Sequence, residues 1–113
     1  MKLDFKYEKD RLYASIDGEI DLSVAAHLRQ ELDQNLDRKQ ARHLILDLTK
    51  VSFIDSSGLG VILGRYKRLS EIGGTVKIYG VNDQIEKILE LSGFNRIMKI
   101  STQGIEIKLG TDF

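Results

Sequence analysis

Apolar and polar residues alternate from the start of the chain: Leu3, Phe5 and Tyr7, then a charged break at Glu8-Lys9-Asp10-Arg11, then Leu12, Ala14 and Ile16. A period of two is the mark of strands with one buried face, so this stretch predicts an opening hairpin. The period then changes. Val24, Ala25, Leu28, Leu32 and Leu36 recur at spacings of three and four, the stripe of an amphipathic helix running from Ser23 to about Leu36. Asp21 or Ser23 is its expected cap.

His43 to Leu48 brings Leu44, Ile45, Leu46 and Leu48 together in near-continuous order, as expected of a central strand covered on both faces. A second helix is predicted after Asp55-Ser56-Ser57, with Leu59, Ile62, Leu63, Tyr66 and Leu69 on one side and Gly73-Gly74 at its end. Thr75 to Tyr79 reads as a strand. A third helix starts at Asn82 or Asp83, carries Ile85, Ile88, Leu89 and Leu91, and stops at Gly93, after which Ile97 to Ile100 return to the sheet. From Ser101 onward the alternation of Ile105, Ile107 and Leu109 fits a strand while the length fits a helix, and the pattern does not choose between them.

A hairpin followed by alternating helices and strands predicts one α/β domain over residues 1–113. Its sheet is mixed and four- to five-stranded, with the later strands parallel, joined by right-handed crossovers, and helices packed on it. Ligands of such sheets gather at the carboxyl ends of the parallel strands. Three loops are expected to meet there: Gly18-Glu19-Ile20-Asp21, Asp55-Ser56-Ser57-Gly58 and Gly80-Val81-Asn82-Asp83.

Composition narrows the function. Seventeen basic and seventeen acidic residues cancel, which leaves no long-range field to gather nucleic acid or an anionic membrane surface. With no cysteine there is no disulfide, thiolate metal site or cysteine nucleophile. His27 and His43 stand apart without a ligand pattern, so they read as surface or packing residues. Neither a leader nor an apolar stretch near the roughly 20 residues of a membrane helix is visible, and a cytoplasmic protein is expected. No triad, metal cluster or P-loop stands out, so neither catalysis nor a cofactor is expected.

The most informative segment is Phe53-Ile54-Asp55-Ser56-Ser57-Gly58-Leu59-Gly60-Val61-Ile62-Leu63-Gly64-Arg65-Tyr66-Lys67. One reading is local: Ser or Asp caps a helix, and Gly60 and Gly64, four apart, let it lie close to the sheet. A second takes Gly58, Gly60 and Gly64 as a dinucleotide-binding helix start with Asp83 as a ribose ligand. Against it, the fingerprint wants its first glycine directly after the strand, whereas Val51 to Ser57 intervene. In either reading Arg65 and Lys67 lie on a solvated helix face, from which Arg65 can reach an acidic partner.

A third reading rests on resemblance. Asp55 to Lys67 resembles the signature of the STAS-domain anti-sigma-factor antagonists, and within them most nearly the sporulation type, through the continuation Gly64-Arg65-Tyr66-Lys67. The general stress-response antagonists are the nearest rival. Gly18-Glu19-Ile20-Asp21 is similar to the family's Gly-Glu-Leu-Asp, and Leu91-Ser92-Gly93-Phe94 to its Met-Ser-Gly-Leu. The resemblance implies a STAS fold and a partner switch. The unmodified protein binds an anti-sigma factor that is also a serine kinase, the kinase phosphorylates the first serine after the aspartate, here Ser56, and a serine phosphatase reverses the change. It further implies partner contacts from Glu19, Asp21, Asp55, Ser56, Ser57, Gly58, Leu59, Gly60 and Asn82, in a protein acting as a monomer. Ser57 is cap or contact rather than acceptor, Asp55 holds its loop as in an Asx-turn, and Asn82 leans to a cap. A hydroxyl at a helix start lies among N–H groups without intrahelical partners, where an added anion is tolerated.

Overall fold

The structure, a computed structural model, describes residues 1–105. Strand β1 (Lys2–Glu8) and strand β2 (Arg11–Ile20) form the expected antiparallel hairpin. Helix α1 (Leu22–Lys39) leads to strand β3 (His43–Ile54), helix α2 (Ser56–Ser70), strand β4 (Thr75–Tyr79) and helix α3 (Asp83–Leu91). A single 3-10 turn, Phe94–Arg96, which the periodicity does not reveal, precedes a two-residue strand β5 (Lys99–Ile100). The strands stand side by side in chain order, β1-β2-β3-β4-β5, with β2 to β5 parallel. The undecided segment from Ser101 has no regular element as far as Ile105, and the remaining choice between helix and strand falls outside the described residues.

Pleating explains how the core divides. Leu12, Ala14 and Ile16 of β2, Leu44, Leu46 and Leu48 of β3, and Val76 and Ile78 of β4 share one face. They form a single cluster with Leu28, Leu32 and Leu36 of α1, Val61, Ile62 and Leu69 of α2, and Ile85 and Leu89 of α3. All three helices therefore pack on the same side. The near-continuous apolar run in β3 has a different cause from helices on both faces: Ile45 points the other way and joins Tyr13 and Tyr79 in a small second cluster, with Ile105 against it. The first strand is fastened from the helix side too, where the Tyr7 hydroxyl donates to Asn35 and Asn35 Nδ2 donates to the Glu31 carbonyl at 2.8 Å.

Two boundaries differ from expectation in ways that matter for the site. Strand β3 does not stop at Leu48 but runs to Ile54, because Val51 and Ile54 are buried and pair alongside Gly18 and Ile20 of β2. Gly18 to Ile20 likewise belong to β2 rather than to a loop. Register shifts between Ser15 and Asp17 and between Gly18 and Glu19 let the two long strands stay paired to their ends. Both strands thus deliver their last residues, Ile20 and Ile54, to the same level of the sheet edge.

Leu46 lies at the centre of this arrangement, paired with Ala14 on one side and Ile78 on the other and wholly buried under the helices. Leu46→Ala is expected to cost about 2–5 kcal/mol of stability, read as a lower midpoint in urea denaturation with an unchanged slope.

Candidate functional site

The edge where β2 and β3 end carries two helix starts built on one pattern. Asp21-Leu22-Ser23 opens α1 and Asp55-Ser56-Ser57 opens α2. In each, the aspartate is the N-cap with extended backbone (φ −114° for Asp21, −111° for Asp55), and its carboxylate accepts the N–H two residues on. Those bonds are 3.0 Å from Ser23 and 2.9 Å from Ser57. This is the Asx-turn geometry expected of Asp55, and it settles the α1 cap on Asp21 rather than Ser23.

Asp55 reaches further than Asp21. Its Oδ1 also accepts the Gly58 N–H at 3.2 Å, while Oδ2 accepts the Leu22 N–H of α1 at 3.2 Å. Its own N–H donates to the Ile20 carbonyl at 3.2 Å. One carboxylate thus satisfies orphan donors of two helices and locks the ends of β2 and β3 together. The Ser57 hydroxyl foremost, then the Gly58, Ser57 and Leu22 N–H groups, hold its pKa below the ordinary 3.8, against an opposing effect of desolvation.

This arrangement separates the two serines. Ser57 Oγ donates to Asp55 and is half-buried. Ser56 occupies the first helical position, is exposed, and its hydroxyl makes no hydrogen bond among the described residues. Asp55, not Ser56, caps the helix, so the N–H groups of Ser57 and Gly58 are already engaged.

Gly58 is where α2 touches the sheet. A Cβ there would stand 2.7 Å from the Ile20 carbonyl oxygen and 2.8 Å from Ile54 Cγ1, so only glycine permits the approach. Its burial makes it a packing residue rather than the expected partner contact. Gly60 and Gly64 do not bring the helix to the sheet, since a Cβ at either meets nothing within 4 Å. The glycine-rich dinucleotide turn loses its basis for the same reasons: its first glycine is packed on Ile20, and the donors that would cradle a phosphate hold a carboxylate. Only Asp55 to Ser57 separate β3 from Gly58, so the spacing objection weakens while the geometric one decides.

Of the remaining candidates, Glu19 is exposed beside Phe53, its β3 neighbour, and Gly60 is exposed. Leu59 is half-buried against the core. Asn82 caps α3, accepting the Ile85 N–H at 2.8 Å. Its loop is tied to the segment after β5 through Gly80 N–H to Gln103 and Val81 N–H to Ser101, not to the Asp55 turn. Arg65 departs most from expectation: it is buried, with Nε 3.1 Å from Asp33 of α1. Two apolar residues beside Ser56, Leu22 (77% exposed) and Phe53 (42%), complete the surface. Periodicity had given them no role, although for Leu22 an apolar residue directly after a cap is the available signal.

Among the described residues no helix is long and apolar enough to cross a membrane, and no cluster of His, Asp and Glu is placed to hold a metal.

If Asp55 clamps both helices, Asp55→Ala lowers thermal stability at neutral pH. A carboxyl whose folded pKa is depressed contributes fully above its unfolded pKa of about 3.9 and loses that contribution as pH falls through the lower folded value. The gap in Tm between the wild type and Asp55→Ala is therefore expected to be full at pH 6 and to close progressively below about pH 4.

Comparison with known proteins agrees with this geometry. The STAS domain profile matches residues 6–104. The "Anti-sigma F factor antagonist" of Paenibacillus polymyxa is 35% identical over 88% of this chain and 86% of its own. The "Anti-sigma-B factor antagonist" of Bacillus subtilis is 30% identical over 91% and 93%. The solved Thermotoga maritima protein TM1081 superposes with a TM-score of 0.82 at 27% identity, covering 88% of this chain and 85% of its own. The chain belongs to the STAS domain family, among the anti-sigma-factor antagonists.

Proposed function

We propose that this chain is an anti-sigma-factor antagonist governed by phosphorylation of Ser56. The unmodified protein binds an anti-sigma factor that is also a serine kinase and so frees the sigma factor. Phosphorylation of Ser56 by that kinase ends binding until a serine phosphatase removes the phosphate. On this reading the chain is the substrate and the partner is the enzyme, and both work in the cytoplasm where transcription proceeds. The higher identity to the sigma F relative, with the Gly64-Arg65-Tyr66-Lys67 continuation, favours the sporulation branch over the stress branch.

The observation that carries the reading is the difference between the two serines. The Ser56 hydroxyl is exposed and unengaged at the first position of α2, whereas the Ser57 hydroxyl is held by Asp55. A kinase can take the first without dismantling a cap. Modification adds about −1.5 to −2 charges at neutral pH next to Asp55, on an edge that Glu19 and Asp21 already make acidic. The helix dipole offsets part of that charge in the free protein. In the complex, the phosphate meets an interface shaped for a neutral hydroxyl, close to the phosphates of the kinase's nucleotide. Like charges brought together in a desolvated interface cost several kcal/mol, and ~4 kcal/mol is roughly a thousandfold in affinity. Leu22 and Phe53 supply the apolar contact area around this point.

Incubation with the candidate kinase and ATP, followed by mass spectrometry of the tryptic peptide 51–65, is expected to place one phosphate on Ser56; placement on Ser57 overturns the assignment. Ser56→Ala is expected to bind the kinase as the wild type does and to remain unmodified, and Ser56→Asp to bind at least about tenfold more weakly. If Ser56→Met weakens binding as much as phosphate does, exclusion by size replaces repulsion by charge.

A further inference from the structure

Beside the Ser56 edge, α1 and α2 enclose an open groove of about 420 Å³. Ala25 and Ala26 on α1 and Gly60 on α2 keep it wide, and a Cβ on Gly60 would meet no atom within 4 Å. Small residues alone do not make a site. What distinguishes this groove is the charge at its far end.

Arg65, which lines the groove, is only 9% exposed, and its Nη1 is buried without a hydrogen-bond partner. Long side chains on a helix lean toward its N-terminus, so the guanidinium lies back along α2 toward Val61. Its one acidic neighbour is Asp33, at 3.1 Å from Nε, and Asp33 is shared with Arg68 at 3.2 Å. Arg68 turns its other nitrogen to Asp37, at the exposed side of the pair. Arg29, on the groove wall, is exposed and makes no ion pair among the described residues. Two guanidinium groups, Arg29 and Arg65, therefore line the groove, and the one carboxylate beside Arg65 is divided between it and Arg68. Burial foremost, with the repulsion of Arg29 and Arg68, lowers the pKa of the Arg65 guanidinium against the opposing pull of Asp33.

A buried guanidinium with an unmet donor is costly, and a carboxylate is the group whose geometry and charge it matches. The alanines and Val61 give such a group an apolar channel of side-chain width. We propose that this groove receives an acidic side chain of the partner protein, which passes between α1 and α2 to pair with Arg65 and Arg29 while the partner's kinase site addresses Ser56. This rests on the antagonist reading above and adds to it a second, positively charged point of docking. The Ser56 edge is acidic and the groove basic, so together they demand a partner surface of alternating sign, which restricts partner choice more than either alone.

The decisive variant is Arg29→Glu, because Arg29 is exposed and makes no ion pair among the described residues, whereas Arg65→Met removes a buried partner of Asp33 and perturbs the α1–α2 contact. Titration calorimetry of the full unphosphorylated chain with its purified kinase partner is expected to show Arg29→Glu binding roughly 10- to 100-fold more weakly. Arg29→Lys should stay within about threefold of the wild type, as should Arg38→Glu, which makes the same change in net charge half a turn around α1. The loss in Arg29→Glu should accompany a Tm that is not lowered. Wild-type affinity in Arg29→Glu, or an equal loss in Arg38→Glu, overturns the groove while leaving the antagonist reading intact. Failure of the wild-type chain to bind the kinase overturns both.

Discussion

The Asp55 carboxylate is the point on which the functional edge depends. A helix start leaves N–H groups without partners, and two parallel strands ending side by side bring two such starts close together. Either helix alone is held by a local cap, as Asp21 shows for α1. Asp55 does more by spending one oxygen on α2 and the other on α1. At this edge the two helix starts are joined by a single side chain, while Gly58 fixes how close α2 lies to the sheet. Both oxygens of Asp55, the residue before Ser56, are engaged in hydrogen bonds.

Much of this was legible in the sequence, and the rest was not for identifiable reasons. The hairpin, three helices and parallel strands follow from changes of period between two and three to four. The three helix starts were placed correctly because Asp21, Asp55 and Asn82 are cap residues in cap positions, but only the first two are hydrogen-bonded together at the edge. The length of β3 was hidden because Thr49 and Lys50 interrupt the apolar pattern, and the pairing of Val51 and Ile54 with β2 is a tertiary fact. Arg65 was assigned to solvent because arginine is rarely buried; only Asp33, a residue of another helix, makes its burial tolerable. The glycines misled by number. Three fall in one segment, yet only Gly58 has a neighbour that excludes a side chain.

The two serines show how a site and its scaffold divide labour within adjacent residues. At the first helical position the side chain points away from the body of the fold, which is why Leu22 in α1 and Ser56 in α2 are both exposed. One position later it turns toward the cap, which engages Ser57 as it does Ser23. Exposure and structural engagement thereby fall on different side chains. The turn is completed by Ser57 through Asp55, and the Ser56 hydroxyl takes no part in it.

The order of the strands bears on how the chain is made. Because they lie in the sheet in the order of synthesis, every strand after the first finds its neighbour already present, and no place has to be kept open for a later one. β2 with α1 and β3 with α2 end at Ser70, so the Asp55 clamp and the groove are encoded in the portion that leaves the ribosome first. Residues beyond it lay down β4 and β5 on the outer edge of β3. A nascent chain can therefore shape its binding edge before the sheet is finished, with short loops to close at each step.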